Sequence, residues 1–324
     1  MKLLCLSAAD LRAALPMRDA IEAVKDAFAA LSTGRADAPP RTSVAVPPGN
    51  VTLMMGARVD GLGLATKVVS VFPRNRELGR AVVSGLVVVL DPETGEPTAI
   101  CDGTFLTAWR TGAASGVATL LLAREDASVA AIVGCGNQAR TQVLAIDCVR
   151  TLATIRVFDR DAERAQAFAD AMQTEVQARL EVAPSADDAV RGADVVCTAT
   201  TSPVPVFDGA ALVPGTHVNA VGSFTLETRE VDDTTVRRAR VFIDSLESAL
   251  DEAGDLVLAE SAGATRREEW TELGLVAAGK APGRSGPEEI TFFKSVGHAV
   301  QDVATAARAV RVARERGLGR ELVL

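Results

Sequence analysis

Three features of the sequence predict an α/β chain of two domains, one of them built on a parallel sheet. Residues 130–133 are small and apolar, as a buried parallel strand is. They run straight into Gly134-Cys135-Gly136-Asn137-Gln138-Ala139, a Gly-x-Gly-x-x-Ala turn followed by helix-like apolar spacing over 142–149. The next strand-like run, 154–158, ends in Asp159, about 20 residues past the motif, where an acidic side chain meets the ribose of a dinucleotide. The residues up to about 105 have a different order, helices and then strands joined by tight turns. The prediction is therefore a Rossmann-type dinucleotide-binding domain over 114–298, and a second, discontinuous α+β substrate domain over 1–113 completed by 299–324.

The elements follow in order. Ser7 is a candidate N-cap for a short helix to Leu15. Pro16 opens a second helix, with Ile21, Val24, Phe28 and Leu31 at helical spacing and Gly34 as its stop. After Ala38-Pro39-Pro40, residues 41–46, 51–57, 64–72, 86–90 and 98–101 read as strands of a mixed or antiparallel sheet, with 91–97 as a turn. Residues 105–123 read as one long helix rich in Ala and Thr. The strands of the nucleotide domain are placed at 129–133, 154–158, 195–198, 217–221 and 241–243. Helices are expected at 162–172, 187–190 and 247–253, the last stopped by Gly254-Asp255. Residues 277–289 are loop-like, and 290–296 is a last strand or the entry to a helix. A final amphipathic helix over 300–314 carries Val303, Ala306, Ala307 and Val310 on one side.

The fingerprint has a local physical logic. Gly134 permits a tight turn, Gly136 lets the backbone approach a pyrophosphate, and Ala139 keeps the new helix close to its strand. The helix N-terminus, from Asn137 and Gln138 onward, then offers free N–H groups and a positive dipole end to the phosphates. A tight β–α turn without a ligand is the plainer reading of such a turn alone. Strand, glycines, helix and acid in one unit favour the dinucleotide. Asp159 repels a 2′-phosphate and favours NAD, while Arg160 beside it offers the alternative, NADP.

Composition narrows the function. The chain has 324 residues, 48% hydrophobic and 23% charged, with net charge −8. That balance fits a globular protein and argues against a general nucleic-acid footprint. The five cysteines are scattered without a C-x-x-C pair, and there are only two histidines, His217 and His298. Neither a disulfide framework nor a metal site is indicated. Residues 1–6 are too short for a signal core, and no stretch approaches a transmembrane span, so a cytoplasmic protein without a membrane partner is expected.

Substrate specificity is expected from the domain that lacks the fingerprint. Three cations stand out there: Arg41 at the mouth of a strand, Lys67 within a mostly apolar strand, and Arg110 early in the long helix. Arginine grips a carboxylate through paired N–H···O bonds. A lysine in apolar surroundings has its pKa lowered and moves a proton. Each also has a plainer reading: Arg41 as an exposed loop charge, Lys67 turned outward from an exposed strand face, Arg110 paired with a surface carboxylate.

The chain resembles the ornithine cyclodeaminase/mu-crystallin family. The resemblance runs over nearly the whole length. It is carried by Gly63-Leu64-Ala65-Thr66-Lys67, by Leu106-Thr107-Ala108-Trp109-Arg110-Thr111-Gly112-Ala113-Ala114-Ser115, and by Val133-Gly134-Cys135-Gly136-Asn137-Gln138-Ala139. Val218-Asn219-Ala220-Val221-Gly222 and Thr291-Phe292-Phe293-Lys294-Ser295-Val296-Gly297 extend it. The resemblance implies a Rossmann domain beside a substrate domain that also makes a homodimer, and NAD or NADP as cofactor. It implies that Arg41, Lys67 and Arg110 hold an amino-acid carboxylate, with Lys67 also polarising the reacting C–N group. Thr111 and the 134–139 loop would meet the phosphates, and Asn219, Val221 and Ser295 would lie near the nicotinamide.

One departure narrows the activity. Ornithine cyclodeaminases carry an Asp shortly after the Asn-Ala-Val/Ile-Gly turn, where this chain has Phe224. A phenyl ring cannot pair with an ammonium as a carboxylate does. Reduction of a small α-imino acid, such as the cyclic ketimine pyrroline-2-carboxylate, is the expected activity. Glu227, three residues on, keeps ornithine cyclodeamination as an alternative. An alanine-dehydrogenase-like reaction and a non-catalytic binder of NADP and a small effector are the others.

Overall fold

The computed structural model describes residues 1–324, with every side chain except that of Arg76. The chain divides into two compact units, Met1–Arg110 with His298–Leu324, and Thr111–Gly297. The division falls at 110/111 and 297/298, rather than at the 113/114 and 298/299 boundaries read from the sequence.

In chain order the first unit opens with β1 (Lys2–Leu6), α1 (Ala8–Ala14) and α2 (Met17–Ser32). Ser7 caps α1 through a reciprocal box with Asp10, which satisfies free N–H groups at the helix start. The strands β2 (Ala36–Asp37), β3 (Thr42–Val46), β4 (Asn50–Val59), β5 (Gly63–Val71), β6 (Val83–Leu90) and β7 (Pro97–Asp102) follow, and α3 (Gly103–Leu122) leads into the second unit. That unit holds β8 (Val129–Val133), α4 (Asn137–Val149), β9 (Thr154–Phe158), α5 (Ala162–Gln173), β10 (Arg179–Val182), α6 (Ala186–Val190), β11 (Val195–Thr198) and β12 (His217–Ala220). It continues through α7 (Asp233–Arg238), β13 (Ala239–Ile243), α8 (Leu246–Glu252), α9 (Gly254–Ser261), β14 (Thr271–Glu272), α10 (Leu273–Ala277) and β15 (Ile290–Lys294). The chain then returns to the first unit as α11 (Ala299–Arg316) and β16 (Arg320–Val323).

The first unit is one mixed sheet in the order β16-β1-β7-β6-β5-β4-β2, with β3 also on β4. Its pairs are antiparallel except β1 with β7. Helix α11 packs on β4, β5 and α2, so the alternation along β5 puts Ala65, Lys67 and Val69 on the buried face and Thr66 and Val68 on the exposed one. Lys67 is thus turned inward, which removes its plainer reading.

The second unit is a wholly parallel sheet in the order β10-β9-β8-β11-β12-β15-β13-β14. The order reverses between β8 and β11, the position at which doubly wound sheets bind ligands beyond the carboxyl ends of their strands. This is the expected Rossmann-type fold.

Several elements differ from the sequence reading. The helix expected to stop at Gly254-Asp255 does end there, at Glu252, but Gly254 at once begins a further helix, α9, and Asp255 is drawn inward to accept from the N–H groups of Glu230 and Val231. The short strands β1, β10 and β16 and the helix α7 are additional. Each is too short to show a period, and β1 and β16 depend on one another as partners far apart in the chain.

Candidate active site

Two of the three cations of the first unit, Lys67 and Arg110, meet at Asp302, and Arg41 lies within electrostatic reach. Lys67 is only 1% exposed, and its ammonium donates to Asp302 Oδ2 at 2.6 Å. Arg110, also buried, donates from Nη1 to Gln301 Oε1 at 2.6 Å. Its Nε lies 3.3 Å from Asp302 Oδ1, a charge contact without hydrogen-bond alignment. Arg41, half-buried, is near enough to act electrostatically on both Lys67 and His298.

Each element explains why its side chain is there. β5 turns Lys67 under α11. Asp302 sits in the first turn of α11, where the positive end of the helix dipole favours a carboxylate. His298 is the N-cap of α11, with Nδ1 accepting from the Val300 N–H at 3.4 Å. That bond leaves the ring proton on Nε2.

The electrostatics follow from burial. Desolvation pushes Lys67 down from 10.5 to about 8; Asp302 opposes this, while Arg110 and Arg41 add to it. Burial likewise pushes His298 down to about 4, against Asp302 and with help from Arg41 and Arg110. His298 is therefore neutral at pH 7. With Lys67 protonated, two buried cations, Lys67 and Arg110, share the one carboxylate of Asp302. The excess positive charge suits a carboxylate ligand. A separate cavity of about 660 Å³ in this unit, lined by Arg58, Leu62, Val89, Ala307 and Arg314 among others, includes none of the three cations.

Asp302, Gln301 and His298 were not singled out by sequence reasoning. Gln301, Asp302 and Thr305 are polar, yet they lie among the buried positions of α11. A buried polar residue needs a partner, but that burial shows only once the helix is packed, so the sequence carries no mark of the cluster.

The dinucleotide residues all lie in the second unit. Gly134 has φ +96° and no room for a side chain: a Cβ there would sit 2.7 Å from the carbonyl oxygen of Ala199. Gly136, by contrast, has nothing within 4 Å of where a Cβ would be, and no side chain caps the N-terminus of α4. Gln138 Oε1 is buried with no hydrogen-bond partner among the described residues, an acceptor suited to a ligand hydroxyl. Ala139 is buried against the sheet. An open approach and free N–H groups fit a dinucleotide pyrophosphate, and the unmatched acceptor fits a hydroxyl of the same ligand.

Asp159 closes this loop from the next strand, accepting from Cys135 N and Asp161 N, each at 3.0 Å. Arg160 is exposed and Thr111 is buried in α3. Asn219 is buried, its amide donating to Thr119 Oγ1 at 3.1 Å and its oxygen 3.2 Å from His217 Nε2. Val221 follows β12 and bonds through its N–H to Thr198 O. Ser295 donates to Asp244 Oδ2 at 2.9 Å. The side chains of Asn219 and Ser295 are thus engaged within this unit. Phe224 packs against the apolar core, and Glu227 is exposed.

No group of His, Cys, Asp or Glu among the described residues forms a metal cluster, and no described helix is long and apolar enough to cross a membrane.

Known proteins resemble this chain over nearly its whole length. The sequence profile of the ornithine cyclodeaminase/mu-crystallin family matches residues 1–317. A Delta(1)-pyrroline-2-carboxylate reductase of Bacillus cereus is 37% identical over 324 residues, 99% of this chain and 99% of its own. The solved structure of Thermococcus litoralis Delta(1)-pyrroline-2-carboxylate reductase in complex with NADH and L-proline is similar with TM-score 0.95. It is 39% identical, over 98% of this chain and 99% of that one. An archaeal alanine dehydrogenase dimer with bound NAD matches with TM-score 0.93 and 32% identity over the whole of both chains.

Proposed function

Because the chain belongs to the ornithine cyclodeaminase/mu-crystallin family, we propose that it reduces pyrroline-2-carboxylate to proline with NADH. It is an oxidoreductase that uses a nicotinamide dinucleotide, as the fold and its relatives have it. The observation that carries the substrate reading is the buried cluster of Lys67, Asp302 and Arg110, with the half-buried Arg41 in electrostatic reach. It offers a carboxylate excess positive charge, and it offers a neighbouring nitrogen an ammonium whose pKa is close to neutral.

Arg41 and Arg110 bind the substrate carboxylate, and Gln301 fixes the Arg110 guanidinium from the other side. Asp302 holds the Lys67 ammonium in place. Lys67 carries the proton that the imine nitrogen receives, which makes its carbon electrophilic. Gly134, Gly136, Asn137, Gln138 and Ala139 would hold the pyrophosphate of NADH, Thr111 would also meet the phosphates and Asp159 would hold the adenosine ribose, and the cofactor so held would supply the hydride. Asn219, Val221 and Ser295 border the nicotinamide side.

Phe224 and Glu227 support an imine over ornithine as substrate, since neither puts a buried carboxylate where a second ammonium would need one. The test is NADH oxidation with pyrroline-2-carboxylate, with proline measured as product. Turnover is expected, and ornithine should yield neither proline nor ammonia. NADH is expected to outperform NADPH about tenfold or more in kcat/KM, because Asp159 repels a 2′-phosphate. Failure of every cyclic and linear α-imino acid to oxidise NADH would overturn the proposal.

The same reading includes a homodimer built on the first unit. Met54, Val68 and Leu86 are direct neighbours across β4, β5 and β6. They are 39%, 45% and 54% exposed, an apolar row on the face opposite α11. Leu86→Glu is expected to halve the mass seen by light scattering; an unchanged mass would place the interface elsewhere. A cytoplasmic setting is supported by the five cysteines, none of them in a disulfide, and cell fractionation tests it.

A further inference from the structure

We propose that Glu230 is a positioning residue that shapes the nicotinamide side of the cofactor site by tying together the loops that follow β11 and β12. Its carboxylate is fully buried and accepts four hydrogen bonds. Oε1 takes Thr200 N at 2.6 Å and Thr200 Oγ1 at 2.8 Å. Oε2 takes Thr198 Oγ1 at 3.0 Å and Gly222 N at 2.6 Å. These donors belong to the ends of two adjacent parallel strands. The packing there is tight: a Cβ on Gly222 would fall 2.2 Å from Thr200 O and 2.5 Å from Glu230 Oε1.

The position gives this knot its consequence. The loop it fixes contains Ala199, whose carbonyl oxygen abuts Gly134, and the β8/β11 boundary is where the strand order reverses. A dinucleotide crosses that boundary. Asp159, at the end of β9, lies on one side of it, so the ends of β11 and β12 serve the other half of the molecule. Glu230 is anchored in turn. Asp255 Oδ1 accepts from Glu230 N at 2.6 Å and Val231 N at 3.0 Å. Lys294 pairs with Asp255 Oδ2 at 2.7 Å and donates to Ser223 O at 2.7 Å. Three buried charged side chains therefore fix loop backbone rather than core packing, an expense suited to a site that must hold its shape.

The inference rests on the cofactor reading above but not on the identity of the imine. Its test is binding alone, by titration calorimetry, of NADH and of ADP-ribose, which lacks the nicotinamide. Glu230→Gln keeps the shape but replaces one acceptor oxygen by a donor, so one of the two loop N–H groups loses its partner. NADH affinity is expected to fall about tenfold, with ADP-ribose affinity unchanged. Thr198→Val, which removes only the hydroxyl bond to Glu230, is expected to give a smaller loss of the same kind. Equal weakening of both ligands, or no change in either, in variants that unfold cooperatively, would overturn the role. Absence of NADH binding in the unaltered protein would instead remove the cofactor reading itself.

Discussion

Lys67→Met is expected to reduce kcat/KM for pyrroline-2-carboxylate by about a thousand-fold, the scale of a lost proton donor in a prearranged site, while leaving the Kd for NADH unchanged. Methionine retains an apolar stem of similar length in the buried slot of β5 but has neither charge nor proton. Lys67→Arg separates those two losses. It keeps the positive charge beside Asp302, but an arginine does not release its proton near neutral pH. If Lys67 serves as proton donor, Arg fails nearly as badly as Met. If Lys67 only attracts the substrate carboxylate, Arg retains most of the activity and the proton-transfer role must be abandoned. Both variants need a cooperative thermal transition before their kinetics are read, because Asp302 is left with only the 3.3 Å contact to Arg110 in the Met variant.

The contrast between Lys67 and Asp302 shows how much of the site was legible. Lys67 could be singled out because a cation inside an apolar strand violates the local pattern. Its direction could not be read, since a period of two allows either face until the partner layer is known. Asp302 lies 235 positions away in sequence, on a helix whose apolar stripe was visible but whose polar positions carry no local mark of burial. Only the packing of α11 on β5 makes them meet. The glycine turn was legible because its requirements are local: a backbone conformation at Gly134, open space at Gly136, a strand before and a helix after. Glu230 carried no such mark. Its role depends on the ends of β11 and β12 arriving side by side, which is a property of the sheet order. The same reasoning accounts for Gly254: a glycine before an Asp reads as a helix stop locally, but the inward pull of Asp255 on the 230–231 backbone starts a new helix there.

Asp302→Asn is expected to move the alkaline limb of the kcat/KM profile to lower pH and to destabilise the protein at neutral pH, both through Lys67. With Asp302 present, the Lys67 pKa is held at about 8, so activity that needs the ammonium should decline as pH rises through that value. The remaining influences on Lys67 are burial, Arg110 and Arg41, and all of them lower its pKa. His298 adds no charge, since it is neutral above about 4. Asparagine can still accept a hydrogen bond from Nζ but offers no counter-charge, so the decline should begin below pH 8. Activity lost at pH 7.5 should be partly recovered at pH 6, which a merely structural defect would not produce. The stability effect has a definite sign. Lys67 binds its proton less tightly folded, at about 8, than unfolded, at 10.5. Its contribution is therefore unfavourable below pH 8, shrinks as pH rises, and vanishes above 10.5. The gap between those values corresponds to about 3 kcal/mol. Without Asp302 the window opens further downward, and breaking the buried pair is expected to cost about 3 kcal/mol or more at pH 7. Thermal unfolding should show a Tm well below that of the unaltered protein at pH 7 and a narrowing difference toward pH 10. If the alkaline limb stays near pH 8 in Asp302→Asn, the group that titrates there is not Lys67, and the proton donor must be sought elsewhere.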